Sequence, residues 1–379
     1  MHTRNTLLTA TACLAVATNA YALFPVLGGE VGVALNTSWG YDSNINANSG
    51  EQGDDVLTVT PSLDWTRSQG INHLTISTGF SIVRYGSTGN VNDSINPNFT
   101  ATLSGPNGVS SNLTYNLGFS FFRSTDANDL VGQITDIYNY DFTTNFTYQV
   151  NEKWGVGLAP SIQYQDYRTA GFADILSTAI ATSLQYSYSE KLTLDGGYRF
   201  RYQYVPSSSS GPTSESIDHT LFIGAFGVLA PKVTGNVQTG ISYRDWLKPS
   251  TQDNFVYPYV NAGVSWAYSQ KTTFTANAGV DLGQSPANQG LETAYAGIGV
   301  SHMFTDQFSG GLNFDYIHSF FTGPTNRSDN AYVIGGNFEY IINSWASAGL
   351  TASYQWNDSD VSTFQYNRWN VFGNVNIHF

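Results

Sequence analysis

The chain is short of charge. Only 11% of its 379 residues are Asp, Glu, Lys or Arg, against about 25% in an ordinary soluble domain, so a soluble fold would lack the ionised surface that keeps it hydrated. Cysteine is nearly absent: the single one, Cys13, lies in an N-terminal apolar run, which excludes disulfides and thiol chemistry from the rest of the chain. Bases are outnumbered 15 to 28, for a formal charge of -13, so the basic footprint that nucleic acid requires is missing. Beyond the N-terminal run, no stretch approaches the roughly 18 consecutive apolar residues of a membrane-spanning helix.

What is present is aromatic side chain, 15% of the residues, with 24 Tyr and 23 Phe. So large an amphipathic load fits a lipid interface. Spanning strands that hide every second residue inside a lumen reconcile it with the missing hydrophobic runs.

The N-terminus has the layout of an export signal. His2 and Arg4 precede an apolar run over residues 7–17, and Ala20-Tyr21-Ala22 then matches a small-x-small cleavage site. The reading is a signal peptide over residues 1–22, cut after Ala22, and one exported unit over 23–379. A lipoprotein signal would need Leu where Ala10 stands and a longer run before Cys13.

From Glu30 onward the pattern is period two. Leu113, Tyr115, Leu117, Phe119 and Phe121 alternate with Thr114, Asn116, Gly118 and Ser120. Residues 192–204 repeat the pattern, placing Arg199 and Arg201 among the inward set. Tight polar breaks at 106–108, 151–153, 189–191, 269–271 and 305–307 alternate with longer Gly/Ser/Asn/Asp-rich breaks at 44–54, 125–135, 205–215, 284–290, 322–329 and 357–363. Short periplasmic turns and long extracellular loops have this rhythm. The expectation is an all-β, antiparallel up-and-down transmembrane barrel of about 18 strands, or 16 if one hairpin is misread. Unpaired backbone does not survive in hydrocarbon, so residues 31–41 should pair with 369–379 and close the sheet. Prolines 61, 97, 160 and 258 fall inside strand-like runs and should mark bulges or membrane boundaries.

The last residues, Trp369, Val371, Gly373, Val375, Ile377 and Phe379, alternate to a terminal aromatic, in the manner of the strand by which the barrel-assembly machinery recognises outer-membrane proteins. Trp65, Trp154, Tyr188, Trp266, Phe304, Phe308 and Trp345 beside short turns, and Tyr41, Phe121, Tyr140, Tyr204, Tyr257, Phe320 and Trp356 near long loops, outline two aromatic girdles. Lys153, Lys191, Lys232 and Lys271 sit at turns, whereas Glu51, Asp54, Asp126, Asp129, Glu215, Asp253, Asp329, Asp358 and Asp360 sit in or beside loops. Parity directs Asp64, Asp141, Asp195, Asp281, Asp315 and Glu339, with Arg199, Arg201, Arg244 and Arg368, into the lumen as pore-lining residues, a set whose signs nearly cancel. No Ser/His arrangement for lipid hydrolysis and no His/Cys/Asp spacing for a metal stands out, which argues against an enzyme, a catalytic site, a metal or a cofactor.

The motif Trp39-Gly40-Tyr41-Asp42-Ser43-Asn44-Ile45, and later Val83-Arg84-Tyr85-Gly86 with Asn92-Asp93, resembles the putative β-barrel porin 2 family over essentially the exported chain. The resemblance implies a barrel of roughly 18 strands, with some members acting in exopolysaccharide export. The expected function is an outer-membrane pore for hydrophilic solutes or a secreted polysaccharide, the alternative a closed structural or adhesive barrel whose acidic loops bind a surface partner. Expected partners are outer-membrane lipid and lipopolysaccharide, the assembly machinery and polysaccharide-export proteins, but not nucleic acid. The protein is expected as a monomer, without room for a plug domain before the first strand. The segment 125–135 is too modest to fold into the channel.

Overall fold

The computed structural model describes residues 24–106, 111–249, 253–323 and 326–379. The proposed signal peptide, its cut after Ala22, and Asn107 and Gly108 of one turn lie outside them. Eighteen antiparallel strands close into one barrel. In chain order they are β1 (Gly29–Asp42), β2 (Asp54–Gln69), β3 (Asn72–Tyr85), β4 (Ser94–Gly105), β5 (Leu113–Ser124), β6 (Ile137–Gln149), β7 (Trp154–Tyr167), β8 (Ile175–Ser189) and β9 (Leu192–Val205). They continue as β10 (Ser214–Ala230), β11 (Val233–Lys248), β12 (Phe255–Trp266), β13 (Thr272–Gln284), β14 (Gly290–Met303), β15 (Phe308–Thr322), β16 (Arg327–Asn343), β17 (Ala346–Ser359) and β18 (Tyr366–His378). A short strand, Phe24–Val26, folds back on the start of β1.

Closure occurs where the alternation requires it. β1 pairs with β18 from Ala34↔His378 to Asp42↔Asn370, and Phe379 exchanges two backbone hydrogen bonds with Val33, at 2.9 and 2.8 Å. No sheet edge is left to hydrocarbon. The apolar side chains point out: Trp39, Ile223, Ile298 and Leu312 are all more than three-fifths exposed, an inside-out arrangement that only lipid contact satisfies. No helix among the described residues is long and apolar enough to cross a membrane.

The in-strand prolines fall at gaps or ends in the ladders. Pairing of β2 with β3 is interrupted at Pro61, and that of β6 with β7 at Pro160. Pro97 precedes the first β4–β5 pair. Pro258 has the largest consequence. Pairing of β12 with β13 stops at Val260↔Val280, while β13 and β14 remain paired to their tip at Gln284↔Gly290. Freed of its neighbour next to a residue that has no N–H to donate, the top of this hairpin leans into the barrel.

Candidate functional site

Register fixes which residues face inward, because directly opposed residues share a face. Asp64, Asp141, Asp195, Arg199, Arg201, Arg244, Asp281, Asp315, Glu339 and Arg368 all lie on the inner face, in step with Ser120, Gln163, Gln203, Asp218 and Gln355. Trp369, Val371, Val375, Ile377 and Phe379 are on the outer face or at its rim, and the Trp345 and Phe379 rings stack at 6.0 Å. Tyr257 departs from expectation. It is opposed to Ser242, on the side of Arg244, so it is a lumen residue and not part of the outer girdle.

The inner face changes character along the axis. Towards the short turns its side chains are partly accessible, as at Asp64, Asp195 and Glu339. Towards the long loops they are buried. Two segments fill that end.

The first is the β13–β14 hairpin. Arg201 on β9 donates Nε to Asp218 at 2.8 Å and Nη1 to Asp281 at 2.9 Å, and Nη2 donates to the Leu282 carbonyl. Arg244 donates to Asp218 at 2.6 Å, to Gln203 at 2.6 Å and to the Gly283 carbonyl at 2.9 Å. Arg244 and Asp218 are each 1% exposed, a depth at which charges persist only when paired and fully hydrogen-bonded. β9 and β13 are four places apart in the sheet, so these contacts pinch the wall. The tip continues the seal: Pro286 accepts from the Ala173 N–H at 2.9 Å, and Asn288 donates to the Pro206 carbonyl at 2.7 Å.

The second is loop 125–136, which contains a small hairpin of Ala127–Asn128 with Gln133–Ile134. Contrary to the sequence expectation, it folds inward. Arg327 on β16 donates to the Leu130 carbonyl at 2.8 Å, Gln355 on β17 to Asp129 at 3.2 Å, and Asn48 to the Gly132 carbonyl at 2.7 Å. The Arg327 guanidinium lies between the Phe321 and Phe364 rings, 3.8 and 3.7 Å from their centroids, and 3.0 Å from Asp329. Between loop and wall a cavity of only about 20 Å³ remains, lined by Asp129, Leu130, Asp329 and Tyr366 among others. Burial raises the Asp129 carboxyl above its ordinary value, outweighing the opposing pull of Arg368 and of hydrogen bonds from Gln355 and Tyr366. Loop 168–174 links the two segments, bonding Asp136 at one end and Pro286 at the other.

Sequence reasoning also missed inner-face residues at strand ends. Asp42 is 2.6 Å from Arg368, Asp218 bridges two arginines, and Arg327 pairs with Asp329. A Ser68–His73 contact of 2.9 Å crosses the β2–β3 turn, but the other imidazole nitrogen is 3.4 Å from the Thr75 hydroxyl. The hydroxyl supplies none of the charge or orientation that a carboxylate gives a catalytic imidazole. Among the described residues no three His, Cys, Asp or Glu side chains gather as metal ligands.

The protein is thus a closed eighteen-strand barrel with an apolar exterior and a polar interior. Residues 201–379 match the family Putative beta-barrel porin 2. The match starts beyond the motif at Trp39–Ile45, so the resemblance extends over less of the chain than the motif suggested. The FrpB iron transporter from Neisseria meningitidis superposes with a TM-score of 0.50 at 9% identity, over 92% of this chain and 81% of that one. The ferric enterobactin receptor PfeA from Pseudomonas aeruginosa gives 0.48 at 9%, over 93% and 81%. At such identity the likeness to FrpB is one of outer-membrane barrel fold. No curated protein sequence matches.

Proposed function

We propose that the porin 2 match and this barrel belong to an outer-membrane pore, one that conveys hydrophilic solutes or a secreted glycan and opens by movement of loop 125–136. The supporting observation is the contrast along the inner face: partly accessible and polar towards the turns, sealed at the loop end by two inward-folded segments. Residues 1–22 act as the export signal, the C-terminal aromatic strand as the assembly signal, and the outer face meets lipid and lipopolysaccharide. The barrel works as a monomer, alone or beside polysaccharide-export proteins, and carries no enzymatic centre.

The sealed mouth favours a second reading, a closed structural barrel whose acidic loops bind a surface partner. Conductance of the folded protein in planar bilayers separates the two. Discrete channel steps support the pore. Silence from folded protein, both intact and with residues 127–134 replaced by a short Gly/Ser linker, would sink it.

A further inference from the structure

The near balance of charge expected for the inner wall does not survive the full registers. Among the described residues, eleven carboxylates and five guanidiniums occupy inner-face positions of the eighteen strands, an excess of six acids. The distribution matters more than the total. Arg201, Arg244, Arg327 and Arg368 are each within 3.0 Å of Asp218, Asp329 or Asp42, all at the loop end. Those bases hold structure together and add little field further down. From mid-barrel, where Asp315 stands, down to the turns, the partly accessible acids of the inner face are Glu30, Asp64, Asp195, Asp315 and Glu339. The hydrogen bonds they accept come from neutral donors: Gln238 to Asp195 at 2.7 Å and Asn313 to Asp315 at 2.6 Å. Arg199, midway along β9, sets its guanidinium 5.1 Å from the centroid of the Tyr259 ring. At the turn rim, Lys153, Lys191, Lys232 and Lys271 are set against Glu152, Glu190 and Asp306, so the rim does not offset the wall.

We infer that this lumen selects for cations. The inference rests on the pore reading and narrows its permeant to cationic or uncharged hydrophilic solutes. Dispersed carboxylates on a low-dielectric wall focus their field into the enclosed water, and rings of acidic side chains are how cation channels discriminate. An acidic glycan would be repelled along the whole vestibule, leaving a neutral or basic chain as the only kind of secreted polysaccharide that fits.

The experiment is the reversal potential of single channels in a KCl gradient, using the full protein purified from outer membranes and the linker-replaced form if the intact one is closed. The expected result is a several-fold preference for K⁺ over Cl⁻ at low ionic strength, fading towards molar salt, where the screening length shrinks to about 3 Å. Combining Asp64→Asn, Asp195→Asn and Glu339→Gln should lose most of that preference while current persists, and Arg199→Gln should increase it. Current without cation preference, or a preference indifferent to the triple substitution, overturns this inference and leaves the pore intact. No current from either folded form overturns both.

Discussion

Replacing Arg327 by Ala should release loop 125–136. The guanidinium is buried, its side chain 6% exposed, and its hydrogen bond to the Leu130 carbonyl is the charged tie between the loop and the opposite wall. A charge-assisted hydrogen bond contributes roughly 1.5–3 kcal/mol. Loss of about 2 kcal/mol of docking multiplies the undocked population about 30-fold, at 1.4 kcal/mol per factor of ten. The Phe321 and Phe364 sandwich and the Asp329 pair act mainly on β16 and loop 360–365, so their loss should appear in stability more than in loop position. Open probability in planar bilayers reads the effect directly. Arg327→Lys, which keeps the charge without the planar fork, should fall between wild type and Arg327→Ala. An open probability unchanged in Arg327→Ala, in a protein that opens when residues 127–134 are replaced, would refute the assignment of this contact as the latch.

Three further outcomes follow from the same contacts. The docked loop holds the Asp129 proton more tightly than a free loop would, because burial raises that carboxyl from 3.8 against the pull of Arg368 and the bonds from Gln355 and Tyr366, with Asp42 adding to the rise. Docking therefore strengthens as pH falls through the docked value and levels off below about 3.8; conductance should drop on acidification, and Asp129→Asn should flatten the profile. Arg244→Leu leaves Asp218 with one of its two arginines and strands Gln203 and the Gly283 carbonyl, so the urea midpoint of the folded barrel should fall by the equivalent of about 3–5 kcal/mol. Deleting Phe379 removes both backbone bonds to Val33 and the Trp345 stack, and should reduce the amount recovered in outer-membrane fractions relative to total synthesis.

The strand number, the closing pair and the inward set were legible because a period of two converts sequence position directly into facing. Parity also contained Tyr257, Asp42 and Asp329, yet Tyr257 was given to a girdle, Asp329 to a loop, and Asp42 was noted only within the motif that ends the first strand. The reason is length: spans of about ten residues suffice for hydrocarbon, whereas these strands run from 12 to 17 residues, carrying the alternation past the membrane into what composition marks as loop. The direction of loop 125–136 was not legible at all. Its docking depends on Arg327, Gln355 and Asn48, residues distant in sequence, and nothing in its own Asn/Asp/Gly content distinguishes an inward segment from a solvated one.

The two segments at the mouth are held by different chemistry, and that difference assigns their roles. The β13–β14 hairpin is tied by Arg201, Asp218, Arg244 and Asp281, of which the first three are buried. Pulling it away would expose or orphan several charges together, each dependent on the others. The Arg123–Asp136 pair anchors loop 125–136 to its own wall, but across the mouth the loop is held by one guanidinium, Arg327, and by neutral donors, the Gln355 and Asn48 amides and the Tyr366 hydroxyl, bonds that water replaces more readily than a buried ion-pair network. The hairpin is thus a fixed narrowing of the wall and the loop is the part that can move. The same division of charge separates structure from passage: the arginines that stiffen the loop end are neutralised there, and the acids left accessible below them set the field that a solute would cross.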